Sequence, residues 1–258
     1  MKIITWNINS IRLRIHLIYK LLEIERPDIL CLQECKSISE SMPFNKFKAL
    51  GYNFSASWGQ KSYNGVAFIS RLPFEKIEKK DFLKSGEARH ISVVINEITI
   101  HNFYFPAGGD LPDPNLNNKF KFKLDYIKEV EKYFNLNKPK KSILLGDLNI
   151  APEDEDVWDH KKLQKVVSHT PIEVNSLKNL KKSGCWVDIF RKNKPYGKYF
   201  SWWSYRSKDW KLGNKGRRLD HIWVTKDLSC NSNCYILKEL RSWKKPSDHV
   251  PVVAKLLL

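Results

Sequence analysis

The stretch Pro27-Asp28-Ile29-Leu30-Cys31-Leu32-Gln33-Glu34 reads as a helix stop, a strand and then a carboxylate. Pro27 ends the pattern before it, the run from Ile29 to Leu32 is apolar without alternation, and Glu34 closes it. An unbroken apolar run of this length is what a strand buried on both faces looks like. Three more stretches are built alike. Ile3-Ile4 leads into Trp6-Asn7-Ile8-Asn9, Ile143-Leu144-Leu145 into Gly146-Asp147-Leu148-Asn149, and Ser247-Asp248-His249 precedes Val250-Pro251-Val252-Val253. Polar groups at strand ends are where α/β sheets gather their chemistry.

Outward from these motifs, residues 11–25 are expected to form an amphipathic helix with Leu13, Leu17, Leu21 and Ile24 near one face, and 117–133 a second long helix. Strands are expected near 2–8, 28–34, 52–58, 64–70, 91–96, 97–104, 142–147, 199–204, 219–224, 234–240 and 252–257. Shorter helical pieces fall at 46–50, 154–159 and 170–182. Adjacent β-runs such as those meeting at Asn96-Glu97 call for antiparallel pairing beside the helices. So many strands overfill one sheet, and the expected architecture is an α/β fold of two packed mixed β-sheets flanked by helices. No linker-like composition or repeat divides the chain, so residues 1–258 are expected to form a single domain.

The net charge is +17, from 45 Lys+Arg against 28 Asp+Glu. Residues 191–218 carry ten basic residues and one acid, Asp209, interleaved with Tyr196, Tyr199, Phe200, Trp202, Trp203, Tyr205 and Trp210. Basic charge neutralises phosphates and aromatic rings stack on bases or sugars, so nucleic acid is the expected partner. The segment has no helical periodicity, and a membrane surface would select a basic amphipathic helix instead. No long apolar run suggests a membrane span. A cleaved leader would remove Asn7, so a cytoplasmic protein is expected. The five cysteines lack zinc-pair spacing and are expected to be reduced thiols. No heptad pattern is present, and a monomer is the expected state.

Glu34, Asp147, Asn7, Asn9 and Asn149 offer hard oxygens of the kind Mg²⁺ prefers. Asn7 and Asn9, and likewise Asp147 and Asn149, lie two apart and are expected to face one side of their strands. His249 beside Asp248 suits contact with a phosphate oxygen, with Asp220 as a second acid to orient it. Tyr104, just before Phe105-Pro106, could donate its phenol to the same phosphate.

Two longer stretches carry a family likeness. Pro27 to Lys36 and Asn214-Lys215-Gly216-Arg217-Arg218-Leu219-Asp220-His221 resemble signatures of the exonuclease III family of AP endonucleases. That family lies within the deoxyribonuclease I-like endonuclease/exonuclease/phosphatase superfamily, and the resemblance runs from Lys2 to about Val253. It implies a four-layered α/β sandwich and Mg²⁺- or Mn²⁺-dependent hydrolysis of the DNA phosphodiester 5′ to an abasic site. It also implies 3′→5′ exonuclease and 3′-end-cleaning activity on double-stranded DNA. Carried over, Glu34 is the principal metal ligand with Asn9 and Asp248 nearby, and Asp147 and Asn149 stand at the metal and the attacking water. Asn7 supports that water, Tyr104 and His249 contact phosphate, and Asp220 orients His249. The general base is Asp147 or His249. Trp202 matches an aromatic lining the abasic-sugar pocket, and Arg206 a residue that wedges into the duplex. Arg12, Arg89 and Arg217 complete the candidate DNA contacts.

Three positions depart from the family pattern. Ala107 replaces a phosphate-holding amide, Ile189 a hydroxyl residue, and Arg217 a residue that is apolar in some relatives. The competing readings are an inositol-phosphate phosphatase or sphingomyelinase of the same superfamily, a secreted deoxyribonuclease I-like enzyme, and a DNA-binding relative without catalysis. The first would not need the basic-aromatic stretch or the Arg217-Arg218-Leu219-Asp220 signature, the second is disfavoured by the expected lack of a signal peptide and by the odd cysteine set, and the last would not need every catalytic side chain.

Overall fold

The computed structural model describes residues 1–207, 209–230 and 232–257. Lys208, one of the basic residues of the 191–218 stretch, lies outside them. In chain order the strands are β1 (Lys2–Asn7), β2 (Ile29–Gln33), β3 (Phe54–Trp58), β4 (Val66–Ser70), β5 (Lys76–Lys79), β6 (His90–Ile95), β7 (Ile98–Tyr104) and β8 (Ser142–Asp147). They continue as β9 (Val187–Asp188), β10 (Trp202–Trp203), β11 (Gly216–Arg217), β12 (Asp220–Val224), β13 (Ser232–Ile236) and β14 (Val252–Leu256). Two six-stranded sheets result, ordered β13-β14-β1-β2-β4-β3 and β5-β6-β7-β8-β12-β9. Both are mixed: β1 and β2 run parallel, as do β7 and β8, while the remaining pairs are antiparallel.

The apolar runs are a consequence of this layering. Successive strand residues point to opposite faces, so a run survives without alternation only when both faces are covered. Ile3, Ile29, Cys31 and Phe68 of the first sheet meet Ile91, Val93, Ile100, Ile143, Leu145 and Ile222 of the second in one core. On the outer face of the first sheet, Leu17, Ile18, Leu21 and Leu22 of α1 (Ile15–Glu25) cover Ile4, Leu30, Leu32 and Val253. On the outer face of the second, α2 (Asn118–Asn137) brings Tyr126, Ile127, Val130 and Phe134, and the later helix Pro171–Ser183 brings Leu177 and Leu180, onto Phe103, Leu144 and Trp223. Helix, sheet, sheet, helix is the four-layered sandwich. No helix among the described residues is long and apolar enough to cross a membrane.

Several expected boundaries move. α1 begins at Ile15, after a turn, which leaves Leu13 at 53% and Ile24 at 59% exposure while Ile18 and Leu22 take the core face. The strand expected near 234–240 is β13 followed by a 3₁₀ turn at Lys238–Ser242, and that near 199–204 shrinks to two residues. β5, Lys-Ile-Glu-Lys, has no counterpart among the expected strands, because an exposed edge strand carries charge in place of an apolar pattern. All five cysteines are free, with Cys31, Cys35 and Cys234 buried.

The loops between sheets are held by a buried charge network. The Arg218 guanidinium, fully buried, donates Nε to Asp156 Oδ1 at 2.6 Å and Nη2 to Asp156 Oδ2 at 2.8 Å, and pairs with Asp188 Oδ2 at 2.9 Å. Burial by itself would raise both carboxyls, but Arg218 overrides it and holds them below the usual carboxylate range. A depressed folded pKa stabilises fully above the unfolded value of about 3.9 and is lost as pH falls through the folded value. Arg218→Met strips Asp188 of its arginine and leaves Asp156 with Arg191 alone, so urea unfolding at neutral pH is expected to show a loss of about 3–5 kcal/mol. The deficit should shrink as pH falls, first as the variant's unpaired buried carboxyl takes up a proton above its ordinary pKa, then below about 4 as the parent loses its own ion-pair stabilisation. A variant as stable as the parent at neutral pH would contradict this account of the network.

Candidate active site

Register brings the polar strand ends together. Tyr104, the last residue of β7, stands opposite Asp147, the last of β8, and Asp147 stands opposite Asp220, the first of β12. Three strands of one sheet therefore present a phenol and two carboxylates at a single edge. In the other sheet β1 ends on Asn7 opposite Gln33, and Glu34 comes directly after. Asp248 and His249 lie just before β14, the other neighbour of β1. The two sheets meet at this edge, so residues from both are within hydrogen-bonding distance.

Asn7 is the link between them. Its Nδ2 donates to Glu34 Oε1 and to Asp147 Oδ2, each at 2.9 Å. The expected common facing of Asn7 and Asn9 does not hold, because the strand ends and the chain turns through left-handed conformations at Asn9 (φ 47) and Ser10 (φ 91). Asn9 instead donates Nδ2 to Asp248 Oδ1 at 3.0 Å. Asn149 (φ 52) likewise turns back, donating its backbone N–H to Asp147 Oδ1 at 2.9 Å and its amide to Phe105 O at 2.9 Å. Gly146 is needed where it stands: its φ is +132, and a Cβ there would meet Phe103 O at 1.9 Å.

Glu34 also sits in the left-handed region (φ 49), a costly place for a residue with a Cβ. Its flanks over-determine it: Ser10 N donates to Glu34 O at 2.8 Å and Cys35 N to Gly65 O at 3.0 Å. The Tyr104 phenol, expected to face phosphate, donates to Glu34 Oε1 at 2.9 Å. Burial and the Glu34 charge push that phenol well above its usual pKa, so it is a neutral donor. Lys36, which is not among the candidate residues of the motifs, pairs with Glu34 Oε2 at 2.9 Å and donates to Asn9 Oδ1 at 2.7 Å. Its signal in the sequence is the Glu-x-Lys spacing at a chain reversal. Burial alone would raise the Glu34 carboxyl, and Lys36 and the Asn7 bond bring it below its ordinary value.

His249 donates through Nδ1 to Asp220 Oδ2 at 2.8 Å, and its Nε2 lies 3.7 Å from Asp147 Oδ2. Asp220 is itself fixed by the Ser201 hydroxyl at 2.6 Å. Burial would lower the imidazole pKa, but Asp220 and then Asp147 raise it well above the usual histidine value. Both acids thus favour the protonated ring. Burial, and the nearby Asp220 charge, push Asp147 the opposite way for a carboxylate, towards the proton-accepting range, against the pull of His249.

Glu34, Asn9 and Asp248 supply hard oxygens, and Glu34 Oε2 with Asn9 Oδ1 already converge on one cation, the Lys36 ammonium. That donor set fits a divalent oxygen-liganded ion. The ligand atoms of Asp147, Asp220 and His249 form a second cluster, all within 4.8 Å of one another.

The expected DNA contacts divide. Arg206 and Arg12 are exposed. Arg89 is buried, paired with Glu87, and its guanidinium lies 5.0 Å from the Tyr104 ring centre. Trp202 is not a bare wall: its Nε1 donates to Asp248 Oδ2 at 3.0 Å, and Arg217 covers its ring at 5.2 Å. Arg217 is held there by Val167 O at 2.8 Å and Ser168 Oγ at 2.5 Å. Phe200 and Trp203 are core residues, and Arg191 and Arg218 spend their charge inside on Asp156. Among the described residues of the basic stretch, Lys194, Arg206 and Lys211 are exposed, as are Lys198, which donates to Trp158 O at 2.8 Å, and Lys215, 5.2 Å from the Trp158 ring centre. At two departures the structure gives a reason. Ala107 offers only its carbonyl, to Lys123 Nζ at 3.2 Å, and Ile189 is fully buried in the inter-sheet core.

Comparisons with known proteins agree with this geometry. Residues 4–249 match the model of the "Endonuclease/Exonuclease/phosphatase family". The chain is 31% identical to exodeoxyribonuclease III of Haemophilus influenzae, covering 99% of each protein. It superposes on the 3′-5′ exonuclease NExo of Neisseria meningitidis with a TM-score of 0.92 at 31% identity, covering 100% of both chains. An AP endonuclease from Archaeoglobus fulgidus matches with a TM-score of 0.93 at 31% identity, again over 100% of both.

Proposed function

The chain belongs to the endonuclease/exonuclease/phosphatase family, and on that footing we propose that it is a DNA-repair nuclease that hydrolyses the phosphodiester 5′ to an abasic site and trims 3′ ends. The observation that carries the reading is Asn7 bridging Glu34 and Asp147, which joins a hard-oxygen site to a carboxylate–imidazole pair where the two sheet edges meet. An exodeoxyribonuclease III and an AP endonuclease among the relatives support the substrate class. The inositol-phosphate and sphingomyelin readings find no such support.

In this proposal Asp147 orients the attacking water and accepts its proton, since burial favours its neutral form. His249, held cationic by Asp220, donates to a non-bridging phosphate oxygen rather than acting as base. Glu34, Asp248 and Asn9 would hold Mg²⁺ or Mn²⁺. When bound, that ion supplies positive charge for the phosphate and the leaving 3′-oxygen. Asn149 and Asn7 fix the Asp147 carboxylate by hydrogen bonds to both its oxygens. The guanidinium of Arg217 over Trp202 narrows the room for a flipped sugar, which favours a substantial share of work at 3′ ends.

Binding to duplex DNA is expected to weaken by about 10²-fold or more between ~50 and ~200 mM salt, as phosphate contacts release counterions. A flat salt response in a filter or fluorescence assay would sink the DNA assignment. The activity itself is tested with an abasic duplex, an intact duplex, a 3′-phosphate hairpin and an inositol phosphate, each with and without Mg²⁺. Metal-dependent nicking of the abasic duplex and trimming of the hairpin are expected. Turnover of the inositol phosphate alone would overturn the proposal.

A further inference from the structure

Beyond the cleft, three side chains around the loop after Asn149 converge on one point. Asp154 opens a 3₁₀ turn, His160 opens the helix His160–Leu163, and His169 precedes the cap of the helix Pro171–Ser183. One ligand atom from each lies within 4.8 Å of the other two. His160 Nδ1 is 2.8 Å from His169 Nε2 and 3.1 Å from Asp154 Oδ1.

The outer nitrogens of both rings are already engaged. His169 Nδ1 lies 2.6 Å from Ala151 O, and a carbonyl only accepts, so the proton is on Nδ1 and the lone pair on Nε2 points inward. His160 Nε2 lies 2.5 Å from Gln164 Nε2, which donates to it, so without an ion the His160 proton is on Nδ1. With the Gln164 amide turned over so that its oxygen accepts, the His160 proton moves to Nε2 and Nδ1 faces inward as a lone pair, the state in which an ion is bound. A hydrogen bond from each ligand histidine's other nitrogen to a carbonyl is the arrangement that orients imidazoles toward metals. Burial, moreover, keeps His169 on the neutral side of its ordinary pKa.

In the ion-free state the single proton on His160 Nδ1 faces two acceptors, His169 Nε2 at 2.8 Å and Asp154 Oδ1 at 3.1 Å, and serves one of them while solvent serves the other. A single cation serves all three.

We propose that Asp154, His160 and His169 form a structural site for a late first-row divalent ion such as Zn²⁺ or Co²⁺, separate from the catalytic cleft. Two imidazoles and one carboxylate select such an ion over Mg²⁺, and leave a coordination position for water. His160, with 32% of its side chain exposed, and Asp154, with 73%, give the ion a path from solvent. The two facing nitrogens need to part by roughly 0.5 Å to sit at tetrahedral spacing around an ion with ~2.0 Å bonds. Among the described residues, no hydrogen bond or ion pair connects the three to Glu34, Asp147, Asp220, Asp248 or His249. The ion pins the 151–154 loop to the 167–169 segment, whose Ser168 N donates to the buried Glu173 and whose Ser168 Oγ and Val167 O grip Arg217. It thereby steadies the backbone that presents Asn149 and Arg217.

Co²⁺ titration of the full chain in excess Mg²⁺ tests this, read by visible d–d absorption and by Tm, with Glu34→Gln, His160→Ala and Asp154→Ala beside the parent. The parent and E34Q are expected to bind one equivalent with tetrahedral or five-coordinate bands. Their Tm should rise by ~5 °C at about a hundredfold excess over Kd. H160A and D154A, both changed at solvent-accessible positions, should keep the parent's far-ultraviolet dichroism while losing the bands and the Tm rise. Bands that persist in H160A but vanish in E34Q place the ion in the cleft and overturn the proposal. A parent that shows neither bands nor a Tm rise overturns it equally.

Discussion

Asp147→Asn is expected to reduce cleavage of an abasic duplex by about 10²–10⁴ in kcat, the scale on which a positioned acid–base group contributes. Asp147 is fully buried and accepts from Asn7 Nδ2, from Asn149 N at 2.9 Å and from Asn149 Nδ2 at 3.1 Å, so both its oxygens are committed to donors. An amide keeps the size but cannot accept a proton from water, and its NH₂ must face one of those donors. The variant should nonetheless fold and bind DNA at least as well as the parent, because a buried negative charge near the phosphate is gone. Near-parental turnover with an unchanged fold would remove Asp147 from the chemistry.

The second large effect is expected at His249. Its Nδ1 is anchored on Asp220 and its ring is held cationic, leaving Nε2 as a donor beside Asp147. A donor of this kind gains strength as charge builds on the phosphate oxygens, so its removal affects the transition state more than the bound substrate. His249→Gln should lower kcat by about 10²–10³ and shift KM little, the size of loss seen when one oxyanion donor is deleted. Asp220→Asn should cost less, because the ring stays in place and loses only its anchor's charge. If H249Q instead raised KM with kcat intact, His249 would be a binding residue only.

Much of the site is legible in the chain because most of its members stand at one end of an apolar run, and strand ends are set by pattern and register. Asn7, Glu34, Tyr104, Asp147 and Asp220 all stand at such ends, and pairing in register carries them to one edge. Positions just beyond a strand end are harder to place. The two-residue alternation expected of Asn9 and Asn149 belongs to a strand that has already stopped, and left-handed turns are what keep both side chains at the site. Lys36 escapes the pattern for the same reason: only the reversal at Glu34 brings its ammonium back onto that carboxylate.

Charge is the least legible property. Arg191 and Arg218 look in sequence like part of a DNA-binding surface, yet they pair with Asp156, an acid far away in the chain. Whether a basic residue faces solvent or a distant carboxylate is decided by tertiary packing, which composition does not record. The aromatic half of the same stretch splits alike: Tyr196 is 80% exposed, whereas Trp203 is wholly buried.

The most direct test of the central claim is Mn²⁺ binding in the presence of an uncleaved abasic duplex, read by electron paramagnetic resonance on the parent and on Glu34→Gln. The parent is expected to take up Mn²⁺ at Glu34, and E34Q to lose that ion together with cleavage while still binding the duplex. Full Mn²⁺ uptake and undiminished cleavage in E34Q would contradict a nuclease centred on that carboxylate.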